Sequence, residues 1–111
     1  SAGMVGWSAT TQDALFPLQS LVETVDVQKG NGLSNIGRVS DPKLDALIEQ
    51  IKAETEQTRR NALIEQALLM VNHNVYQLPL HTQIINWAMK KNIETPLRAD
   101  NRLELDKITV K

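Results

Sequence analysis

His73 and His81 are the only side chains of this 111-residue chain whose ordinary pKa lies near neutrality, which makes them the first place to look for catalysis. Neither has a second ligand at metal spacing. A zinc site needs three or four converging donors, and no His-x-x-x-His or carboxylate–histidine arrangement surrounds either ring. They read as a helix-end and a strand-end histidine making local hydrogen bonds. Ser8, Ser20, Ser34 and Ser40 lie outside any Gly-x-Ser-x-Gly elbow, so acyl transfer through a serine has no anchor. Gly30-Asn31-Gly32 beside Lys29 has the glycine content of a phosphate cradle. It lacks the Gly-Lys-Ser/Thr ending and the preceding apolar strand that such a cradle uses. Asp45, Glu49, Glu54, Glu56 and Glu65 fall on polar helix faces, with Lys43, Lys52, Arg59 and Arg60 as surface partners. No catalytic constellation emerges, so neither enzyme activity nor a metal or cofactor is expected.

Binding chemistry remains. Trp7 and Trp87 supply most of the aromatic surface in a chain with only 4% aromatic residues. Trp87 lies among apolar neighbours and reads as core. Trp7 is followed at once by the polar turn Ser8-Ala9-Thr10-Thr11-Gln12-Asp13. An amphipathic ring beside several small donors and acceptors suits a polar-ligand pocket, and a packed core position suits the ring equally well.

Composition narrows the classes further. Apolar residues at 41% and charged residues at 23% fit a folded domain with a modest core, one domain or less. A formal net charge of -1 speaks against a nucleic-acid or anionic-membrane surface. The absence of cysteine removes disulfides and thiolate metal sites and leaves the redox compartment open. No segment approaches the ~20 consecutive apolar residues of a membrane span. A charged-then-apolar leader is not present in these residues, which leaves location to other arguments.

The elements that must position any site follow from pattern and capping. Residues 4–8 read as a strand end. Thr10 or Thr11 is expected to cap a helix beginning near Gln12, with Ala14, Leu15, Leu18, Leu21 and Val22 at helical spacing and Pro17 near its first turn. Residues 25–39, rich in Gly and Asn, read as a long surface loop with a job or a missing partner. Ser40 or Asp41 caps a helix with Pro42 at its first position and Leu44, Leu47, Ile48 and Ile51 as one apolar stripe. After a very short turn, Thr55 caps a second helix with Leu63, Ile64, Ala67, Met70 and Val71 inward. Strands are expected at 75–81, 84–89 and 103–110, the last with a bulge at Asp106-Lys107. The expected fold class is α+β: a helical hairpin and one further helix packed on a few strands.

Taken in order, Gly6-Trp7-Ser8-Ala9, Arg38 through Ile48, Ala53-Glu54-Thr55 through Arg60-Asn61-Ala62-Leu63, Leu78-Pro79-Leu80-His81 and Trp87 through Asn92 resemble the C-terminal portion of the extracytoplasmic solute-binding proteins of peptide, nickel and related ABC importers. The resemblance implies a fragment of a two-lobed clamp that closes on a small solute, such as a peptide or sugar, and docks on an ABC permease in the membrane. It implies a periplasmic location, or the outer face of the cytoplasmic membrane, with residues 1–83 in the closing lobe and 84–111 returning to the first lobe. It further implies that Trp7, Ser8, Ala9, Thr10, Thr11 and Asp13 line the ligand cleft. Peptide-binding members place an aspartate three residues after the tryptophan, against the ligand's amino group; this chain has Thr10 there. A hydroxyl cannot supply the charge-assisted bond, worth roughly 1.5–3 kcal/mol, that a carboxylate gives an ammonium. A ligand held through neutral hydrogen bonds fits as well, and Asp13 is the alternative source of charge. Residues 84–89 and 103–110 are expected to pair with each other, or with a second copy in a strand-swapped dimer. A free-standing helical-hairpin interaction module without a small-molecule ligand is the competing reading.

Overall fold

The computed structural model describes residues 3–8, 11–98 and 100–111. The fold class is α+β, as expected, with three helices and one two-stranded antiparallel sheet. The chain forms two compact units, Ser1–Pro79 and Leu80–Lys111.

The first unit is built on helices α1 (Leu15–Leu21), α2 (Pro42–Ala53) and α3 (Gln57–His73). Pro42 at the first position of α2 has no amide to leave unsatisfied, and the Asp41 carboxylate accepts from the Lys43 amide at 2.9 Å. The expected stripe Leu44, Leu47, Ile48 and Ile51 is buried, joined by Leu18 and Val22 of the α1 segment and by Ala67 of α3. Leu63, Ile64, Met70 and Val71 pack partly buried around this core, as their spacing predicts. The cap of α3 is not Thr55. Glu56 takes the position and accepts from the Thr58 and Arg59 amides, each at 2.8 Å, because its longer side chain reaches back over the first turn. Those two amides hold its carboxyl below the ordinary range.

α1 also begins later than its sequence predicts. The N-cap is Ala14, which has no side chain to cap with, rather than Thr11; one residue earlier Asp13 Oδ1 accepts from the Leu15 amide at 2.9 Å, and the expected cap at Thr10 lies outside the described residues. The long loop at 25–39 is ordered by side chains rather than by regular structure. Asn35 bonds the Glu23 carbonyl and both the amide and carbonyl of Val39. Asn31 lies buried and donates to Glu23. Gly32 has φ of +61°, and a Cβ there would stand 2.4 Å from the Glu23 carbonyl oxygen.

Three expected strands are absent. Residues 4–8 and 84–89 carry no strand pairing, and their large apolar side chains Met4, Val5, Ile84 and Ile85 are exposed. The strand expected at 75–81 gives way to a helix end. α3 stops with Val75 left-handed at φ of +55°, while the Val75 amide bonds Asn72 and the Tyr76 amide returns to Val71 at 3.0 Å. This is a Schellman closure with a β-branched residue where glycine is usual. Tyr76 then packs on the core and donates its hydroxyl to Asp41 at 2.9 Å.

In the second unit, β1 (Ile93–Glu94) pairs antiparallel with β2 (Thr109–Val110), Ile93 opposite Val110. The 103–110 segment is thus mostly not strand. What reads as a bulge at Asp106-Lys107 is a short 3-10 turn, Leu105–Lys107. The partner of β2 is β1 of the same chain, so residues 84–89 and 103–110 do not pair with each other as expected. Trp87, expected in the core, is half-buried and donates to Asn101 at 3.0 Å.

Candidate ligand-binding site

The candidate wall runs from Trp7 to Asp13. Trp7 is 40% exposed, and its ring lies 5.6 Å from that of Phe16, centroid to centroid, at an angle of 33°. Phe16 stands on the first turn of α1, so the helix supplies the surface against which the indole rests. Such aromatic pairs contribute beyond their buried area. Ser8 and Thr11 are exposed. Ala9 and Thr10 lie outside the described residues.

Both carboxylate oxygens of Asp13 accept within the protein, one from the Leu15 amide at 2.9 Å and the other from Arg60 Nη2 at 2.7 Å, across 47 positions of sequence. The Leu15 amide, and after it the Arg60 guanidinium, hold this carboxyl below its ordinary range against the opposing effect of burial. Among the first 22 residues Asp13 carries the only charged side chain. With Arg60 beside it, the wall is electrically balanced. Arg60 was the residue that pattern reading assigned to a surface pair on its own helix; such pairs do occur at Arg59–Glu56 and Lys52–Glu49.

A second polar cluster was invisible in the sequence. Glu23 is 2% exposed, and the Lys52 ammonium reaches its two oxygens at 3.0 and 3.1 Å. The same ammonium reaches Glu49 at 2.8 Å and Asn31 Oδ1 at 3.3 Å, and Gln19 donates to that Asn31 oxygen. Burial raises the Glu23 pKa against the influence of Lys52. Burial also opposes the charge on Lys52, but Glu49 and Glu23 outweigh it and its pKa is raised. Nearby, Asp45 accepts from the amide and hydroxyl of Thr24, at 2.9 and 2.6 Å. These contacts tie the loop to α2 and give it a structural role.

The second unit has an open cleft of about 470 Å³, lined by residues including Met89, Pro96, Leu97 and Lys107, where the buried Thr95 hydroxyl has no partner among the described residues. None of the sequence-derived site residues lines it. Among the described residues no three His, Asp or Glu side chains converge to hold a metal ion.

Comparison with known proteins bears on what such a wall would contact. The chain is 32% identical over 77 residues to the probable deoxycholate-binding periplasmic protein YgiS of Escherichia coli K12. The match takes in 69% of this chain and 13% of that protein, so the chain spans a small part of its relative's length. The similarity is thus to a periplasmic solute-binding protein. No protein-family model and no solved structure matches the chain. The relative is periplasmic, in line with the expected location, and among the described residues no helix is long and apolar enough to cross a membrane.

Proposed function

We propose that the chain is the C-terminal portion of a periplasmic solute-binding protein that captures a small solute by lobe closure and delivers it to an ABC permease. In this reading Trp7, Ser8, Thr11 and Asp13 contribute to one cleft wall, with no catalytic step; Ala9 and Thr10, expected there too, lie outside the described residues. The resemblance to the peptide and nickel importers and the likeness to a deoxycholate-binding periplasmic protein both support it.

One observation carries the choice of solute. Asp13, the only charge in the first 22 residues, is neutralised by Arg60. A wall of one half-exposed indole and several hydroxyls suits an amphipathic, hydroxyl-bearing solute with an extended apolar face. A short peptide held by its amino terminus needs a carboxylate whose charge is not already compensated, and that of Asp13 is paired with Arg60. Deoxycholate, a bent steroid with an apolar face, two hydroxyls on the opposite face and a side-chain carboxylate, has the favoured amphipathic chemistry.

Isothermal titration of the full-length protein with deoxycholate, trialanine and maltose tests this. Saturable heat with deoxycholate and none with trialanine is the expected result. Tight trialanine binding with no response to deoxycholate would overturn the choice of solute.

A further inference from the structure

We infer that Arg60 is a specificity-determining residue, which sets the candidate cleft against cationic solutes by cancelling the charge of Asp13. The inference rests on the reading of the Trp7–Asp13 segment as a ligand-contacting wall.

The argument starts from position. Arg60 lies in the first turns of α3, where the helix dipole disfavours a cation. The cap of that helix is already complete, since Glu56 serves the Thr58 and Arg59 amides, and Arg59 also approaches Glu56. The Arg60 amide donates to the Glu56 carbonyl as in any helix, but its side chain takes no part in the cap. Its guanidinium, only 19% exposed, points instead to Asp13 Oδ2 at 2.7 Å.

Asp13 is held in place independently of Arg60 by the Leu15 amide. Its side chain is 43% exposed, and a carboxylate has about four acceptor positions, of which two are used here. Removal of the guanidinium would thus leave a fixed, accessible anion on an otherwise uncharged wall. An ammonium group on a solute would find there the partner that Arg60 now occupies. Removal of the carboxylate would do the reverse and present the cleft with an unpaired guanidinium, which favours anionic solutes.

The two changes make opposite predictions, which a purely structural ion pair does not. Affinities are measured in the full-length protein for deoxycholate and for its analogue with a primary amine in place of the carboxylate. Arg60→Met is expected to raise the affinity for the amine about tenfold, and Arg60→Lys, which keeps the charge, to leave it within about twofold of the parent. Adding Asp13→Asn to Arg60→Met is expected to return the amine to its parental affinity. Asp13→Asn alone is expected to shift the preference toward deoxycholate, and this holds the inference to account even where Arg60→Met fails to fold. A preference between the two probes that is the same in all variants would overturn the role of Arg60 while leaving the solute reading intact. Binding of neither probe by the parent protein would overturn the wall itself, and the inference with it.

Discussion

The ammonium of Lys52 sits within 3.1 Å of both carboxylate oxygens of Glu23, a side chain almost wholly withdrawn from water. The pair spans 29 positions and fastens the segment after α1 to the middle of the helical hairpin. A buried ion pair is weak evidence of net stabilisation, because desolvation offsets much of the attraction. Its two halves are not equivalent, however. Glu23 is buried, whereas Lys52 retains about a quarter of its exposure and a second partner in Glu49.

Lys52→Met should therefore cost about 2 kcal/mol, toward the lower side of what orphaning a buried charge costs, since water can reach the vacated position. Glu23→Gln should cost no more than about 1 kcal/mol, because an amide still accepts from Asn31 and Lys52. The pH dependence follows from the raised pKa of Glu23. A carboxyl raised on folding contributes stability that is present below its unfolded pKa and lost as pH rises through the folded value. Without Lys52 the rise is larger, so the deficit of Lys52→Met should shrink between pH 7 and pH 5. Urea denaturation at both pH values checks this, and a pH-independent deficit would refute it.

Gly32 and Gly30 both have positive φ, at +61° and +75°, but only Gly32 is closed in by backbone. Alanine at Gly30 meets open space and should cost about 1 kcal/mol for the left-handed conformation alone. Alanine at Gly32 would press on the Glu23 carbonyl and on Val25 Cα, at 2.4 and 2.9 Å, neither of which can move aside as a side chain does. Its expected cost is about 3 kcal/mol, from strain plus overpacking. Equal costs for the two variants, read from denaturation midpoints, would contradict the close approach of loop and helix end.

Val75 occupies a left-handed position that β-branched residues rarely adopt, and its side chain is exposed. Val75→Gly should stabilise the protein by about 0.5–1 kcal/mol, the relief of strain exceeding the added entropy of the unfolded chain. A lowered thermal midpoint for this variant would show that α3 does not end in the Schellman closure.

Val75 also shows why part of the fold was hidden in the sequence. Val75-Tyr76 looks like the start of a strand by propensity, yet the chain there is completing the C-terminal cap of a helix. The hairpin was legible because its signals are local: Pro42 after Asp41, and Leu44, Leu47, Ile48 and Ile51 at helical spacing. A strand needs a neighbour as well as a pattern. Apolar runs such as Ile84-Ile85 have none in the described structure, whereas the less apolar Ile93–Glu94 does. Although the residues alone suit a packed core position equally, Trp7 and its polar turn were legible as a candidate for a ligand wall. The partners that decide its charge were not, since Asp13 meets Arg60 only after α1 and α3 have packed. Glu23 and Lys52 were hidden by the same long separation, because each looks like an ordinary surface charge until the loop closes over it.

The most direct test of the account compares the two tryptophans. Trp7→Ala and Trp87→Ala are made in the full-length protein, and deoxycholate affinity is measured by titration calorimetry. Trp7 belongs to the proposed cleft wall, and Trp87 is engaged with Asn101 in the other compact unit. The account predicts that Trp7→Ala weakens binding at least about tenfold, as loss of 1.4 kcal/mol or more of aromatic contact implies, while Trp87→Ala changes it by less than about threefold. Unchanged affinity in Trp7→Ala, with the parent protein binding well, would contradict the placement of the ligand against this wall.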